Sequence, residues 1–274
     1  MSLSDIGPVV LVGAGKMGLA LARGWIAGGL PADQLVLVDP NPAEATTAFA
    51  AETKCRLQSR PGGVLTHVIV LAVKPQVMRE VLAELRPSVG RHTLVISIAA
   101  GISIETIGKG LETDRVIRTM PNTPAQIGKG ITGAVAGAGL LADDVETAEA
   151  LLGAAGKLIW FTEEAMLDAV TAVSGSGPAY VFNMVEALAV AAERQGFMPD
   201  DAMLFARETI IGAAALMAAD PSPASTLREN VTSPKGTTAA ALEILRGADG
   251  LEALMDKAVT AARRRSEELG RQSG

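Results

Sequence analysis

The strongest constraint on this chain is a glycine pattern set between an apolar strand and a helix. Pro8-Val9-Val10-Leu11-Val12 reads as a short buried strand, and Gly13-Ala14-Gly15-Lys16-Met17-Gly18 follows it at once. An Ala/Leu-rich stretch then runs to Gly28-Gly29, where a helix should stop. In such a unit the first glycine makes a tight turn and the second lets backbone approach a pyrophosphate. The third lets helix and strand pack closely, and the helix N-terminus faces the phosphates with unpaired N–H groups. Asp39 ends the next apolar run, Leu35-Val36-Leu37-Val38, about 20 residues beyond Gly18, where an acidic group holds ribose hydroxyls. A second role is open to Asp39, as a cap of the helix expected to begin at Pro40 or Pro42.

Further strands are expected at His67–Val73, Thr93–Ile98 and Arg115–Arg118, with Ile131–Val135 and Lys157–Phe161 extending the sheet. Helices are expected between them, including one from Asp144 to Ala155. This alternation predicts a parallel sheet covered on both faces. After Glu163 no further strand is expected. Helices are predicted over Ala179–Gln195, Pro199–Ala219, Ala224–Asn230, Thr237–Arg246 and Leu251–Leu269, with Gly and Pro signals at their ends. The chain therefore reads as an α/β dinucleotide-binding domain at 1–163 and an all-helical domain at 164–274.

Composition narrows the partners. A hydrophobic fraction of 49 % against 20 % charged supplies a core, and a net charge of -6 argues against nucleic acid. Arg263-Arg264-Arg265 is the one basic run, and three adjacent arginines cannot share one helix face, so it reads as solvated surface. Cys55 is the single cysteine and reads as a small buried hydrophobe. No Cys/His cluster has zinc spacing, so no metal is expected. The N-terminal segment lacks a basic region ahead of an apolar one. The longest apolar strands are too short to span a bilayer, so a cytoplasmic protein without a membrane partner is expected. The helical half is apolar on several faces, as in Ala187-Leu188-Ala189-Val190-Ala191-Ala192, and cannot bury that surface alone. A homo-oligomer built from two-fold dimers follows.

Other motifs lie where open α/β sheets bind ligands, at strand C-termini. They are Ala72-Val73-Lys74-Pro75-Gln76, Ser97-Ile98-Ala99-Ala100-Gly101 and Arg118-Thr119-Met120-Pro121-Asn122-Thr123-Pro124. Lys74 is a candidate acid or a ribose contact, but on the residues alone each of the three motifs reads as a structural turn. In the helical half, Ser174-Gly175-Ser176-Gly177-Pro178-Ala179-Tyr180 leads into one helix. Asn230-Val231-Thr232-Ser233-Pro234-Lys235-Gly236-Thr237-Thr238 leads into another. The second joins hydroxyls, a glycine and a helix N-terminus, which suits a small carboxylate, although spacing alone favours an ordinary Ser or Thr cap. Strong acid–base groups are scarce. His67 and His92 stand beside no nucleophile, and Tyr180 has no Tyr-x-x-x-Lys partner. Reduction of a ketone wants a proton donor, whereas a protonated imine carries its own charge.

Taken in order and spacing, these motifs resemble the pyrroline-5-carboxylate reductase family over nearly the whole chain. The first motif is generic; Arg-x-Met-Pro-Asn-Thr-Pro, Ser-Gly-Ser-Gly-Pro-Ala-Tyr and Ser-Pro-x-Gly-Thr-Thr are specific. The resemblance implies a doubly wound Rossmann-type domain followed by a helical dimerisation domain, with an active site shared between subunits. It implies reduction of 1-pyrroline-5-carboxylate to proline with NADP or NAD as cofactor in its reduced form. Gly13, Ala14, Gly15, Lys16, Met17, Gly18, Asp39, Ala72, Val73, Lys74, Pro75, Ala100 and Asn230 are expected to approach the cofactor. Ser233, Gly236, Thr237 and Thr238 are expected to hold the substrate carboxylate, with the Thr238 hydroxyl near the imine nitrogen. Two positions depart from the family. Lys235 stands where a glycine is usual; it is strained if φ is positive there, and otherwise its cation steers an acidic substrate. Lys16 stands where Asn is frequent and adds a phosphate contact. The family's frequent use of NADPH is in tension with Asp39.

Two other classes compete. One is a related reductase of a different imine or of a β-hydroxyacid; the latter would want a lysine on the first long helix of the helical domain, and Ala179–Gln195 has none. A non-catalytic dinucleotide-binding regulator would keep the glycine pattern but has no need of Thr238.

Overall fold

The structure is a computed structural model and describes residues 1–62 and 66–273. Its contacts divide the chain into two units: Met1–Ser176 together with the chain from Ala262 onward, and Gly177–Ala261. The boundary expected at 163–164 falls earlier than this division.

The first unit alternates strands and helices. In order these are β1 (Val9–Val12), α1 (Lys16–Ala27), β2 (Leu35–Val38), α2 (Glu44–Thr53), β3 (Arg56–Gln58), β4 (Val68–Leu71) and α3 (Met78–Leu85). Then come β5 (Leu94–Ser97), α4 (Ile104–Leu111), β6 (Val116–Met120), β7 (Gly130–Ala136), α5 (Ala142–Gly153), β8 (Gly156–Phe161) and α6 (Met166–Val170). They form one sheet of order β3-β2-β1-β4-β5-β6-β7-β8. The order reverses beside β1, which makes the C-terminal end of β1 the crevice of a doubly wound fold.

Period-two alternation decides which side chains go to which face. Val9, Leu11, Leu35 and Leu37 join a core with Trp25 of α1 and Leu151 of α5. Val10, Val12, Val36 and Val38 join a second core with Met78 of α3 and Ile107 of α4. Trp25 is fully buried and donates its indole N–H to the Leu151 carbonyl at 2.8 Å, so the largest core side chain leaves no polar group unpaired. Cys55 is buried and free, as expected of a small hydrophobe.

Three features correct the sequence expectation. β3 was not anticipated: it is three residues long, carries Arg56 and Gln58, and shows no apolar run because it is the sheet edge. The sheet is not wholly parallel. β7 runs antiparallel to β6, with Arg118 opposite Val135 and Met120 opposite Gly133. The link Pro121–Lys129 holds only a 3₁₀ turn at Thr123–Ile127, too short for the crossover a parallel pair requires. The helix placed at Pro40–Pro42 begins at Glu44 with Ala43 as its N-cap residue, so Asp39 does not cap it.

The second unit contains α7 (Gly177–Arg194), α8 (Pro199–Ala219), α9 (Ala224–Asn230), α10 (Thr237–Leu245) and the start of α11 (Leu251–Ser273). Many of its large apolar side chains stand in solvent, among them Phe182 at 65 % and Phe205 at 59 % exposure. α8 is the one helix among the described residues long and apolar enough to cross a membrane. It carries Arg207 and Glu208 near its middle, charges that are costly in hydrocarbon. On α11, Arg263 and Arg264 pair with Glu267 and Glu268 one turn on, and Arg265 also pairs with Glu268, the solvated face expected of that basic run.

Candidate functional site

The glycine loop is fixed by close approaches that no side chain would survive. Gly13 has φ +89, and a Cβ there would lie 2.8 Å from the Ala72 backbone. A Cβ on Gly18 would lie 2.3 Å from the Gly13 carbonyl oxygen, so helix and loop touch backbone to backbone. Around Gly15 there is open space. The Gly13 N–H donates to the Val38 carbonyl at 2.8 Å, and the Ala14 N–H to Asp39 Oδ2 at 3.0 Å. Thr46, buried on α2, donates its hydroxyl to the Ala14 carbonyl at 2.7 Å. Both polar groups of Ala14 are thus held by protein. The donors left for an anion are the first N–H groups of α1, from Gly15 through Gly18, which have no intrahelical acceptors.

Asp39 is the centre of this bracing. Its other oxygen, Oδ1, accepts from the Asn41 N–H at 2.9 Å. The carboxylate therefore ties the end of β2 to the glycine loop, a role beyond the two its sequence position offered. Thr46 carried no sequence signal for its role, because a helical threonine one turn after an N-cap looks like any other.

Gly13 and Gly15 open onto a cavity of about 600 Å³ at the C-terminal ends of β1–β4. Asp39, Asn41, Ser59 and Arg60 line one part of it; Ala72, Val73 and Lys74 line another, with Val77 just before α3 and Glu80 and Glu84 on it. Ala72, Val73 and Lys74 were foreseen; Ser59 and Arg60 were missed with the strand that presents them. The size suits one end of a dinucleotide, and the bare Gly15 leaves room for a phosphate. Pro75 opens the 3₁₀ turn after Lys74, and Ala100 is exposed in the turn after β5. Among the described residues no cluster of His, Cys, Asp and Glu is placed to hold a metal ion.

The Arg118–Pro124 motif proves to be built into the sheet. Arg118 is buried and pairs with Glu164 at 2.7 Å, and the same Glu164 oxygen accepts the Ile104 N–H at the start of α4. Thr119 donates to the Ser97 carbonyl, and Asn122 Oδ1 accepts the Ile131 N–H at 3.0 Å. These groups hold β5, β6, β7 and α4 together. After α6 the helix widens into a π turn at Thr171–Gly175, which the sequence did not announce. A Cβ on Gly175 would lie 2.9 Å from the Met120 side chain.

In the second unit, Asn230 ends α9 and the loop to α10 carries the hydroxyl motif. Gly236 is the N-cap residue of α10, with Thr237 and Thr238 in its first turn. No side chain caps this helix, so its first N–H groups are unspent. The Gly236 N–H donates to the Ser233 carbonyl at 3.0 Å, and a Cβ on Gly236 would lie 2.5 Å from Ser233 Oγ. Lys235 has φ +58. The strained alternative is the one found: the position is left-handed, where lysine costs about 1 kcal/mol relative to a right-handed conformation. Lys235→Gly is expected to raise stability by about 0.5 kcal/mol, since glycine's larger unfolded-state entropy offsets part of that strain. Thermal unfolding of the two proteins checks this, and a fall in Tm would refute it.

A doubly wound sheet with a glycine cradle, joined to a helical unit that leaves its apolar surface bare, defines a dinucleotide-binding protein that associates through its helices. Comparison with known proteins makes this particular. The model of pyrroline-5-carboxylate reductase dimerisation matches residues 164–269, and that described as NADP oxidoreductase, coenzyme F420-dependent, matches 8–101. The pyrroline-5-carboxylate reductase of Pseudomonas aeruginosa is 40 % identical, over 97 % of this chain and 98 % of that protein. That of Haemophilus influenzae is 38 % identical, over 95 % and 97 %. The structure of the Coxiella burnetii enzyme superposes with a TM-score of 0.89 at 34 % identity, covering 97 % of this chain and 99 % of that one. A Plasmodium falciparum pyrroline carboxylate reductase with NADP bound gives 0.81 at 26 % identity, with 97 % and 99 % covered. The chain belongs to the pyrroline-5-carboxylate reductase family. Its bare helical surface lies within the family's dimerisation segment, and the protein is a homo-oligomer.

Proposed function

We infer that this protein reduces 1-pyrroline-5-carboxylate to L-proline with NAD(P)H, the last step of proline biosynthesis. The observation that carries the reading is the presence, in one family member, of an intact glycine cradle and an uncapped, hydroxyl-bearing α10 N-terminus. The reduced nicotinamide, when bound, supplies the hydride that the imine carbon receives. This chain's own residues bind and orient. The N–H groups of Gly15 to Gly18 take the pyrophosphate, while Ala72, Val73, Lys74, Pro75, Ala100 and Asn230 are assigned to the rest of the cofactor. Ser233, Gly236, Thr237 and Thr238 are assigned to the substrate carboxylate, which the α10 N-terminus attracts by its dipole and free N–H groups. The Thr238 hydroxyl is assigned to the imine nitrogen, where it holds the protonated form in place as the nitrogen becomes an amine. Positioning and charge complementarity supply most of the acceleration, as expected where the electrophile is already cationic. The cytoplasm is the proposed compartment for this small-molecule biosynthetic step.

Oxidation of NADH and NADPH, followed by absorbance with and without racemic pyrroline-5-carboxylate, tests the activity. Proline formed in step with dinucleotide oxidation is expected; a folded protein that oxidises neither cofactor in the presence of substrate would reject the reading. Thr238→Ala is expected to lower kcat by about 10- to 100-fold and to change cofactor affinity by less than about twofold. Unchanged turnover would remove Thr238 from the mechanism.

A further inference from the structure

We propose that the last turns of α11 position the turn after β5 for the reacting half of the cofactor, with Ser266 and Gly270 as the positioning residues. The proposal rests on the assignment of Ala100, in that turn, to the dinucleotide.

α11 begins in the second unit, but its residues from Ala262 onward belong to the first. Among the described residues of this helix only Ser266 is buried. A buried hydroxyl needs a partner, and Ser266 donates to Asp168 Oδ1 on α6 at 2.6 Å. Gly270 stands four residues on, one turn along the same face of the helix. A glycine inside a helix marks a place where another backbone comes close, and here that backbone is Gly101. Gly101 has φ +74, and a Cβ on it would lie 3.3 Å from both the N and the Cα of Gly270. Two bare residues thus let the end of α11 and the turn meet backbone to backbone.

That turn adjoins the glycine cradle. Leu71 and Ser97 are in register on neighbouring strands, and the Ile98 N–H donates to the Leu71 carbonyl at 2.9 Å. Ala99-Ala100-Gly101 therefore leaves the sheet beside Ala72-Val73-Lys74, which line the same cavity as Gly13 and Gly15. Ala99 and Ile102 are buried while Ala100 between them is exposed. In a doubly wound sheet the two halves of a dinucleotide lie on opposite sides of the switch point, so β4 and β5 carry the half away from the adenosine. The downstream end of the turn is fixed by Glu164, which accepts the Ile104 N–H at 2.9 Å and holds Arg118. Its tip is met by Gly270. One short stretch, Glu164 to Asp168, therefore anchors both the start of α4 and the end of α11, and the turn is held between them.

The test sets Gly270→Leu and Ser266→Ala against Gly270→Ala. A Cβ on Gly270 would lie 3.5 Å from the Gly101 carbonyl oxygen, an ordinary contact, so alanine fits there and leucine presses on the turn. Both are better helix formers than glycine, so neither loosens α11 itself. The measurements are kcat/KM with NADPH and NADH, calorimetric affinity for 5′-AMP, and Tm. Gly270→Leu is expected to lower kcat/KM for the dinucleotides about tenfold or more, the effect of a small misplacement. Ser266→Ala should lower it about threefold, through loss of one hydrogen bond, and Gly270→Ala should match the wild type. The 5′-AMP affinity reports the half of the cradle at β1 and β2, and should stay within about twofold in all three. If Gly270→Leu does not fold, Ser266→Ala decides alone. Equal weakening of 5′-AMP and dinucleotide, or wild-type kinetics in the folded variants, would overturn the positioning role while leaving the cradle intact. A wild type that binds neither 5′-AMP nor dinucleotide would overturn the cradle reading and the positioning role with it.

Discussion

Gly18→Ala is expected to abolish useful dinucleotide binding, weakening it by about 100-fold or more, because about 3 kcal/mol of strain falls on the loop that must fit the pyrophosphate. The added Cβ would stand 2.3 Å from the Gly13 carbonyl oxygen and 3.3 Å from the Ala72 side chain. Neither neighbour is a flexible side-chain end. Gly13 is itself held by the Val38 carbonyl and pressed against Ala72, so α1 or the whole loop must move. The control is Gly15→Ala. Open space surrounds that position, and its backbone at φ -69 is one alanine adopts. It should leave the melting temperature nearly unchanged and weaken the cofactor alone. Fluorescence titration with NADPH and thermal melts of both variants separate the two effects. Tight cofactor binding by Gly18→Ala would show that the close approach between helix and strand is not required.

The second large effect is one of stability. Arg115→Ala removes the partner of Asp144, a carboxylate only 2 % exposed on α5, at the end of the sheet away from the glycine loop. Asp144 would keep one backbone donor, the Leu141 N–H at 2.8 Å, and be left as a buried charge without a counter-ion. The expected cost is about 3–5 kcal/mol, a fall in Tm of about 10 °C for a chain of this size. Cofactor affinity should not change, since β6 begins where Arg115 lies and the cradle is built at strand C-terminal ends. The double variant Arg115→Met with Asp144→Leu should recover part of the loss, because no unpaired charge remains. A fall of less than about 3 °C in the single variant would mean that water or rearrangement replaces the pair.

Much of this molecule could be read before folding, for reasons visible in particular residues. β1, β2, β4 and β5 are continuous apolar runs buried on both faces, and the ends of α8 and α9 match their Pro and Asp signals. The glycine spacing announced the cradle because only glycine tolerates contact of backbone with backbone at Gly13 and Gly18. The specific motifs announced the family. By contrast, β3 has no apolar run, since Arg56 and Gln58 sit at an edge that needs none. The Arg118 motif read as a structural turn, but nothing near it in the chain announced that its arginine is spent on Glu164.

By itself the sequence determined the class of fold, the cradle and the need for a partner to cover the helical unit. Each of these follows from residues near one another in the chain, through turn chemistry, periodicity and surplus apolar surface. Tertiary structure alone decided the direction of β7, the bracing of the loop by Asp39 and Thr46, and the arrival of Arg60 beside the β2 end. Those depend on which distant segments become neighbours, and local preferences carry no record of that choice. Hydrogen-bond partners and strand order are settled only when the whole sheet closes over its two cores.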